Sequence, residues 1–162
     1  MIMNTIGRIL IWMTVIAWGF WLGGLMYEMV VITPLWSANL PQSVLEWNSR
    51  PDFVINPTRF YMPIVITLIL GSLAAMVLNW KSGNKRLWLI LSTVCAITVF
   101  VLTLIYFFPK NEVLFRNQNT GLSGEEITAI ANAWIRGNWI RVGMMTVGLF
   151  AALKAFSLPK PD

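Results

Sequence analysis

The chain has 162 residues, 57% of them hydrophobic and 12% charged, with a mean hydropathy of +0.66. A soluble domain of this length could not bury so much apolar surface, so the composition predicts a single-domain integral membrane protein, residues 1–162. The formal charge of +5 calls for no nucleic acid, because topology itself requires scattered Lys and Arg and no basic block or motif marks a nucleic-acid interface.

The first apolar stretch, residues 9–32, is about 24 residues long, too long for a signal-peptide core, and no small-x-small cleavage site follows it. It reads as a retained first span. Gly19 and Gly23 form a GxxxG spacing that suits close helix packing. Tyr27 and Glu28 lie near its end, and Glu28 sits about four residues, roughly 6 Å, inside the boundary drawn by Thr33 and Pro34. Residues 34–56 then read as a loop lying on the membrane surface and capping the bundle, with Trp36, Trp47 and mixed charges at Glu46, Arg50 and Asp52.

Asn56-Pro57 has the form of an N-cap and first helical residue, opening a second span over residues 58–80. Arg59 and Tyr61 stand at its mouth, and Pro63 is placed to bend its first turns. A short basic turn, residues 81–86, leads to a third span over 87–108, apolar throughout and ended by Pro109. In the polar segment beyond it, Asn111 is expected to cap a short helix.

The fourth helix is expected to start near residue 123, where Ser123 and Glu126 have the spacing of a capping box. It runs without proline for about 35 residues, roughly 50 Å, which exceeds a bilayer core, so the membrane-spanning part is placed at residues 134–157. Trp134, Asn138 and Arg141 share one face. An arginine at such depth is costly and by default points at protein or trapped water with a partner. Glu28 lies at a similar depth, so Tyr27, Glu28, Trp134, Asn138 and Arg141 form the candidate pocket or ion pair. The tryptophans at 36, 134 and 139 read more simply as interface anchors, and Lys154 as a snorkelling residue.

The fold expected is an all-α membrane four-helix bundle with two outer loops and both termini cytoplasmic. Arg8, Lys81, Lys85, Arg86, Lys154 and Lys160 share their side with Asp162 alone, whereas the other side holds Arg50, Arg59, Lys110 and Arg116 along with Glu46, Asp52, Glu112, Glu125 and Glu126. In a bacterium the membrane would be the cytoplasmic one. Histidine is absent and Cys95 is the single cysteine, which removes His-ligated haem, the usual zinc sites, His-based triads and any intrachain disulfide. No metal and no cofactor is expected.

Three stretches resemble the anthrone oxygenase family of small four-helix membrane proteins. They are Gly23-Gly24-Leu25-Met26-Tyr27-Glu28 leading to Pro34, then Pro109-Lys110-Asn111-Glu112-Val113-Leu114, then the segment from Trp134 through Asn138 to Arg141. The resemblance implies a cofactor-independent oxygenase acting on a lipophilic small molecule, with Pro109 and Asn111 as its outer-loop motif. Where family members commonly carry a histidine in the fourth span, this chain has Asn138, which can orient a phenol or carbonyl but cannot take a proton near neutral pH. The proton work would pass to Glu28 or Tyr27, with Arg141 facing an enolate or phenolate. The alternative is an accessory subunit, its partners other membrane subunits as well as the lipid bilayer.

Overall fold

The computed structural model describes residues 2–49, 57–116 and 121–159, with side chains from residue 5. Helix α1 (Ile2–Tyr27) passes through a π turn (Glu28–Ile32) into α2 (Thr33–Ser37), and α3 (Gln42–Asn48) follows a tight turn. Next come α4 (Thr58–Leu78) and α5 (Gly83–Leu102), a second π turn (Thr103–Phe107), α6 (Phe108–Phe115) and the long α7 (Gly124–Ser157). No strand occurs among the described residues. Asn56, expected to cap α4, and the charges at Arg50, Asp52, Lys160 and Asp162 lie outside the described residues; α4 starts at Thr58, behind Pro57.

Four segments are long and apolar enough to cross a membrane: Thr5–Ser37, Thr58–Leu78, Gly83–Phe115 and Gly124–Ser157. The protein is therefore a multi-pass membrane helical bundle. Helices α1 and α5 occupy opposite corners, each packed against α4 and α7. The start of α1 meets the end of α7, where Trp12 and Phe156 have ring centroids 4.7 Å apart and the Arg8 guanidinium covers Phe156 at 4.9 Å. Trp88 at the start of α5 meets Phe150 of α7 in the same antiparallel sense, at 6.0 Å. The start of α1 and the end of α7 thus lie at one end of the bundle, and α2, α3 and α6 close the other.

The bundle is locked across its diagonal by Trp18. Its indole is fully buried, stacks on Trp21 at 5.8 Å and donates through Nε1 to Ser92 Oγ of α5 at 2.9 Å. It fits because Gly148 of α7 has no side chain: a Cβ there would collide with the Trp18 ring. The GxxxG pair behaves differently. Gly19 and Gly23 are exposed, and a Cβ on either would have nothing within 4 Å, so among the described residues this pair packs no helix. Close approach in α1 falls instead to Gly24, where a Cβ would come within 2.8 Å of Phe60 and 3.1 Å of Tyr61.

Neither Pro34 nor Pro109 ends its helix as a sequence reading expects. Each sits in the first turn of a short helix that continues the preceding span, directly after a π turn. A proline inside a regular α-helix drives its ring into the carbonyl four residues back and offers no N–H. The wider i→i+5 turns, closed by Thr33 N–H to Glu28 O and Phe108 N–H to Thr103 O, absorb that misfit and carry the helix onward. Pro63 likewise lies within α4 without interrupting it. The end of the bundle built by α2, α3 and α6 is held by Asn48 Nδ2 donating to Leu114 O at 2.6 Å. After α6, Ser123 and Glu126 form the reciprocal capping box that starts α7.

Candidate functional site

The two π turns decide which side chains look inward. Glu28 heads the first and Thr103 the second, and both line one cavity of about 580 Å³ at the end of the bundle closed by α2, α3 and α6. Its floor and back wall are aromatic: Trp21, Trp36, Trp134, Phe107 and Phe115. Trp36 lies edge-on to Trp134 at 5.3 Å and to Phe115 at 5.2 Å, and Phe115 meets Trp134 at 5.8 Å. The sequence reading of Trp36 and Trp134 as interface anchors does not describe them, since both are buried in this cluster; Trp139 is half exposed.

Among the polar side chains lining the cavity, Glu28, Tyr61, Thr103 and Arg141 reach it from four different segments. Glu28 accepts a hydrogen bond at Oε2 from the Tyr61 hydroxyl of α4, at 3.3 Å. Tyr61 reaches it across Gly24, one turn before Glu28, where the missing Cβ admits the ring. Arg141 enters from α7. Its Nη1 donates to Thr103 Oγ1 over a long 3.4 Å, and its guanidinium lies 4.4 Å from the centroid of the Phe107 ring. Thr103 is itself fixed by donating to Val99 O at 2.8 Å. Gly137 provides the room on α7, because a Cβ there would stand 2.7 Å from Tyr106 and 3.2 Å from Phe107.

Glu28 and Arg141 attract one another across this space, yet no direct ion pair joins them. The direct ion pair among the described residues is Glu112–Arg116 at the cavity rim, 2.8 Å long. Arg141 is 8% exposed and its Nε has no hydrogen-bond partner. A buried guanidinium with an unfilled donor and no carboxylate in contact is electrostatically incomplete.

The remaining sequence candidates distribute as follows. Trp134 Nε1 donates to Asn111 Oδ1 at 2.7 Å, so Asn111 lies within α6 and holds the tryptophan; it does not cap a helix. Pro109 places that helix. Asn138 is fully buried, donates to Trp134 O at 3.1 Å, leaves Oδ1 unpartnered and stays behind the cavity wall. Tyr27 is 60% exposed and turned away from the cavity; the phenol beside Glu28 belongs to Tyr61. Thr103 was not singled out by sequence reasoning, and its signal is faint: a hydroxyl in an apolar span, six residues before a proline, as Glu28 is before Pro34. Among the described residues, no group of three His, Cys, Asp or Glu comes together in the manner of a metal site.

The fold and site define a membrane-embedded helical bundle with a polar-tipped aromatic cavity. The family description "Anthrone oxygenase" matches residues 53–151, more than half of the chain, and the protein belongs to that family. The match takes in Tyr61, Thr103, Asn111, Trp134, Asn138 and Arg141, while Glu28 precedes it. No curated protein and no solved structure matches the chain.

Proposed function

We propose that the cavity binds a flat, lipophilic phenol or cyclic aromatic ketone and that the protein oxidises it with dioxygen, as an anthrone-type oxygenase without metal or organic cofactor. The observation that carries this reading is that Glu28 and Arg141 line one aromatic-walled cavity without a direct ion pair between them, so that a base and a cation border the same space. The volume is in the range of small-molecule sites. The family membership supports the same chemistry.

In this mechanism the Glu28 carboxylate takes a proton from the activated CH2 opposite the ketone. The electron pair moves into the ring and the carbonyl oxygen becomes an oxyanion, which the Arg141 guanidinium and Thr103 hydroxyl stabilise. Dioxygen accepts the electrons of that enolate, forming a carbon–oxygen bond and a peroxide. Loss of water then leaves a second carbonyl, so CH2 plus O2 becomes C=O plus H2O. Tyr61, already bonded to Glu28, is placed to return a proton to the departing oxygen. Asn138 sits where a base would be expected by family resemblance, and its burial behind the wall supports assigning the base to Glu28.

The test is oxygen uptake by the protein in liposomes supplied with anthrone, against empty liposomes. The expected result is one O2 consumed per quinone formed, with Glu28→Gln slower by about 100-fold or more, the usual contribution of a general base. Uptake equal to that of empty liposomes would refute the enzymatic reading. A second reading, an accessory subunit, is favoured by the exposed Gly19–Gly23 face, which packs against nothing among the described residues. Stable co-purification of other membrane polypeptides, lost in Gly23→Leu, would support it. On either reading the Lys and Arg distribution supports cytoplasmic termini, with the cavity toward the outer face of the membrane.

A further inference from the structure

We infer that the cavity is filled sideways from the lipid, through a portal between α4 and the α5–α6 segment, and that its ligand must arrive uncharged. This deepens the reading of the cavity as a ligand site and rests on it.

Besides Pro57, Glu112 and Arg116, which are exposed at the polar rim, three apolar lining residues are open to the outside: Met62 at 40%, Leu104 at 41% and Phe108 at 42%. They belong to the facing edges of α4 and of the π turn and α6, so the cavity reaches the surface there. The surface around them is apolar. Ile66 on α4, Val101 on α5 and Ile105 in the second π turn are all exposed, and all lie in segments apolar enough to cross a membrane. Such a face contacts hydrocarbon rather than water. The charged rim, Glu112 with Arg116, lies beyond Phe108 on α6.

An opening onto hydrocarbon selects by charge, because an ionised molecule at that depth is heavily penalised and a neutral one is not. Inside, the order is reversed: the incompletely partnered Arg141 favours an anion. A ligand suited to both is neutral in the membrane and becomes anionic only after losing a proton beside Glu28, which is the behaviour of a weak carbon or phenol acid. Permanently ionised aromatic acids are excluded at the portal.

The experiment measures anthrone binding to the protein in liposomes, without oxygen, as quenching of the tryptophans in the cavity wall followed by stopped flow. Leu104→Trp and Met62→Trp should slow association by about tenfold or more, and Leu104→Ala should speed it, while Ile105→Trp, equally bulky but outside the cavity, should stay within about twofold. Anthraquinone sulfonate, permanently anionic, should associate at least about tenfold more slowly than anthrone. Unchanged association in both portal variants, or slowing by Arg116→Trp in their place, would overturn the portal. If Leu104→Trp fills the cavity and removes binding, the Leu104→Ala acceleration decides. Absence of quenching in the parent would refute the ligand site itself, an outcome distinct from binding with portal-independent rates.

Discussion

Replacing Arg141 by methionine separates a ligand site from a structural brace, because the structure gives different magnitudes for the two. The substitution keeps a long apolar stem and removes the guanidinium. What the folded protein loses is a cation–π contact with Phe107 at 4.4 Å, worth about 2 kcal/mol when desolvated, a 3.4 Å hydrogen bond to Thr103, below the usual net value of about 0.5–1.5 kcal/mol, and the attraction to Glu28 across the cavity. What it regains is the desolvation of a buried charge that no carboxylate touches, several kcal/mol in the opposite direction. These opposing contributions leave stability within about 1 kcal/mol of the parent, a shift of about 2–4 °C in the unfolding midpoint for a chain of this size. Ligand affinity has no such offset. A charge-assisted hydrogen bond to a ligand oxyanion contributes about 1.5–3 kcal/mol, which is about 10- to 100-fold in affinity. The assay pairs thermal unfolding in lipid nanodiscs with anthrone quenching of tryptophan fluorescence. A midpoint lowered by more than about 10 °C with affinity intact would refute this reasoning and make Arg141 a device for helix register.

Two further substitutions probe the frame around the cavity. Gly148→Leu must displace the Trp18 indole, breaking its bond to Ser92 and pushing Trp21 into the cavity, so stability should fall by about 1–3 kcal/mol or more and affinity should fall with it; Gly19→Leu, with open space around it, should leave the unfolding midpoint unchanged. Trp134→Phe and Asn111→Leu each remove one end of the 2.7 Å bond between α7 and α6 and should each cost about 1 kcal/mol. The double variant should cost clearly less than their sum, as a double-mutant cycle in thermal unfolding will read; full additivity would mean that the bond contributes nothing.

The number and order of the membrane spans were legible because hydrocarbon demands length and apolarity, and the four spans display both. The start of α7 was legible because a capping box is local chemistry: Ser123 and Glu126 satisfy each other's backbone donors wherever the helix lies. The continuation past Pro34 and Pro109 was not. A proline states only that a regular turn must break, and whether the chain stops or widens into a π turn depends on what the next segment can pack against. Here α2 and α6 gain Trp36 and Leu114 as buried contacts over the cavity, and the helices run on.

Deeper still is the question of which face of each helix points inward. In a soluble bundle the apolar stripe answers it, but lipid is as apolar as a packed interior, and in this chain leucines and tryptophans occupy both faces. Phe20 is exposed while Trp21, the next residue, is buried, and nothing in their hydrophobicity distinguishes them. Only residues that lipid would penalise carry orientation. Asn138 and Arg141 therefore fixed the inner face of α7 from sequence, and Glu28 pointed to that of α1. Tyr27, one residue and about 100° of helix rotation from Glu28, could not share its direction. The phenol that does had to come from another helix, at the place where Gly24 lets one approach. Small residues obey the same logic: a GxxxG spacing states that two helices could touch, and only a bulky side chain on the facing helix, as Trp18 is for Gly148, makes the contact real.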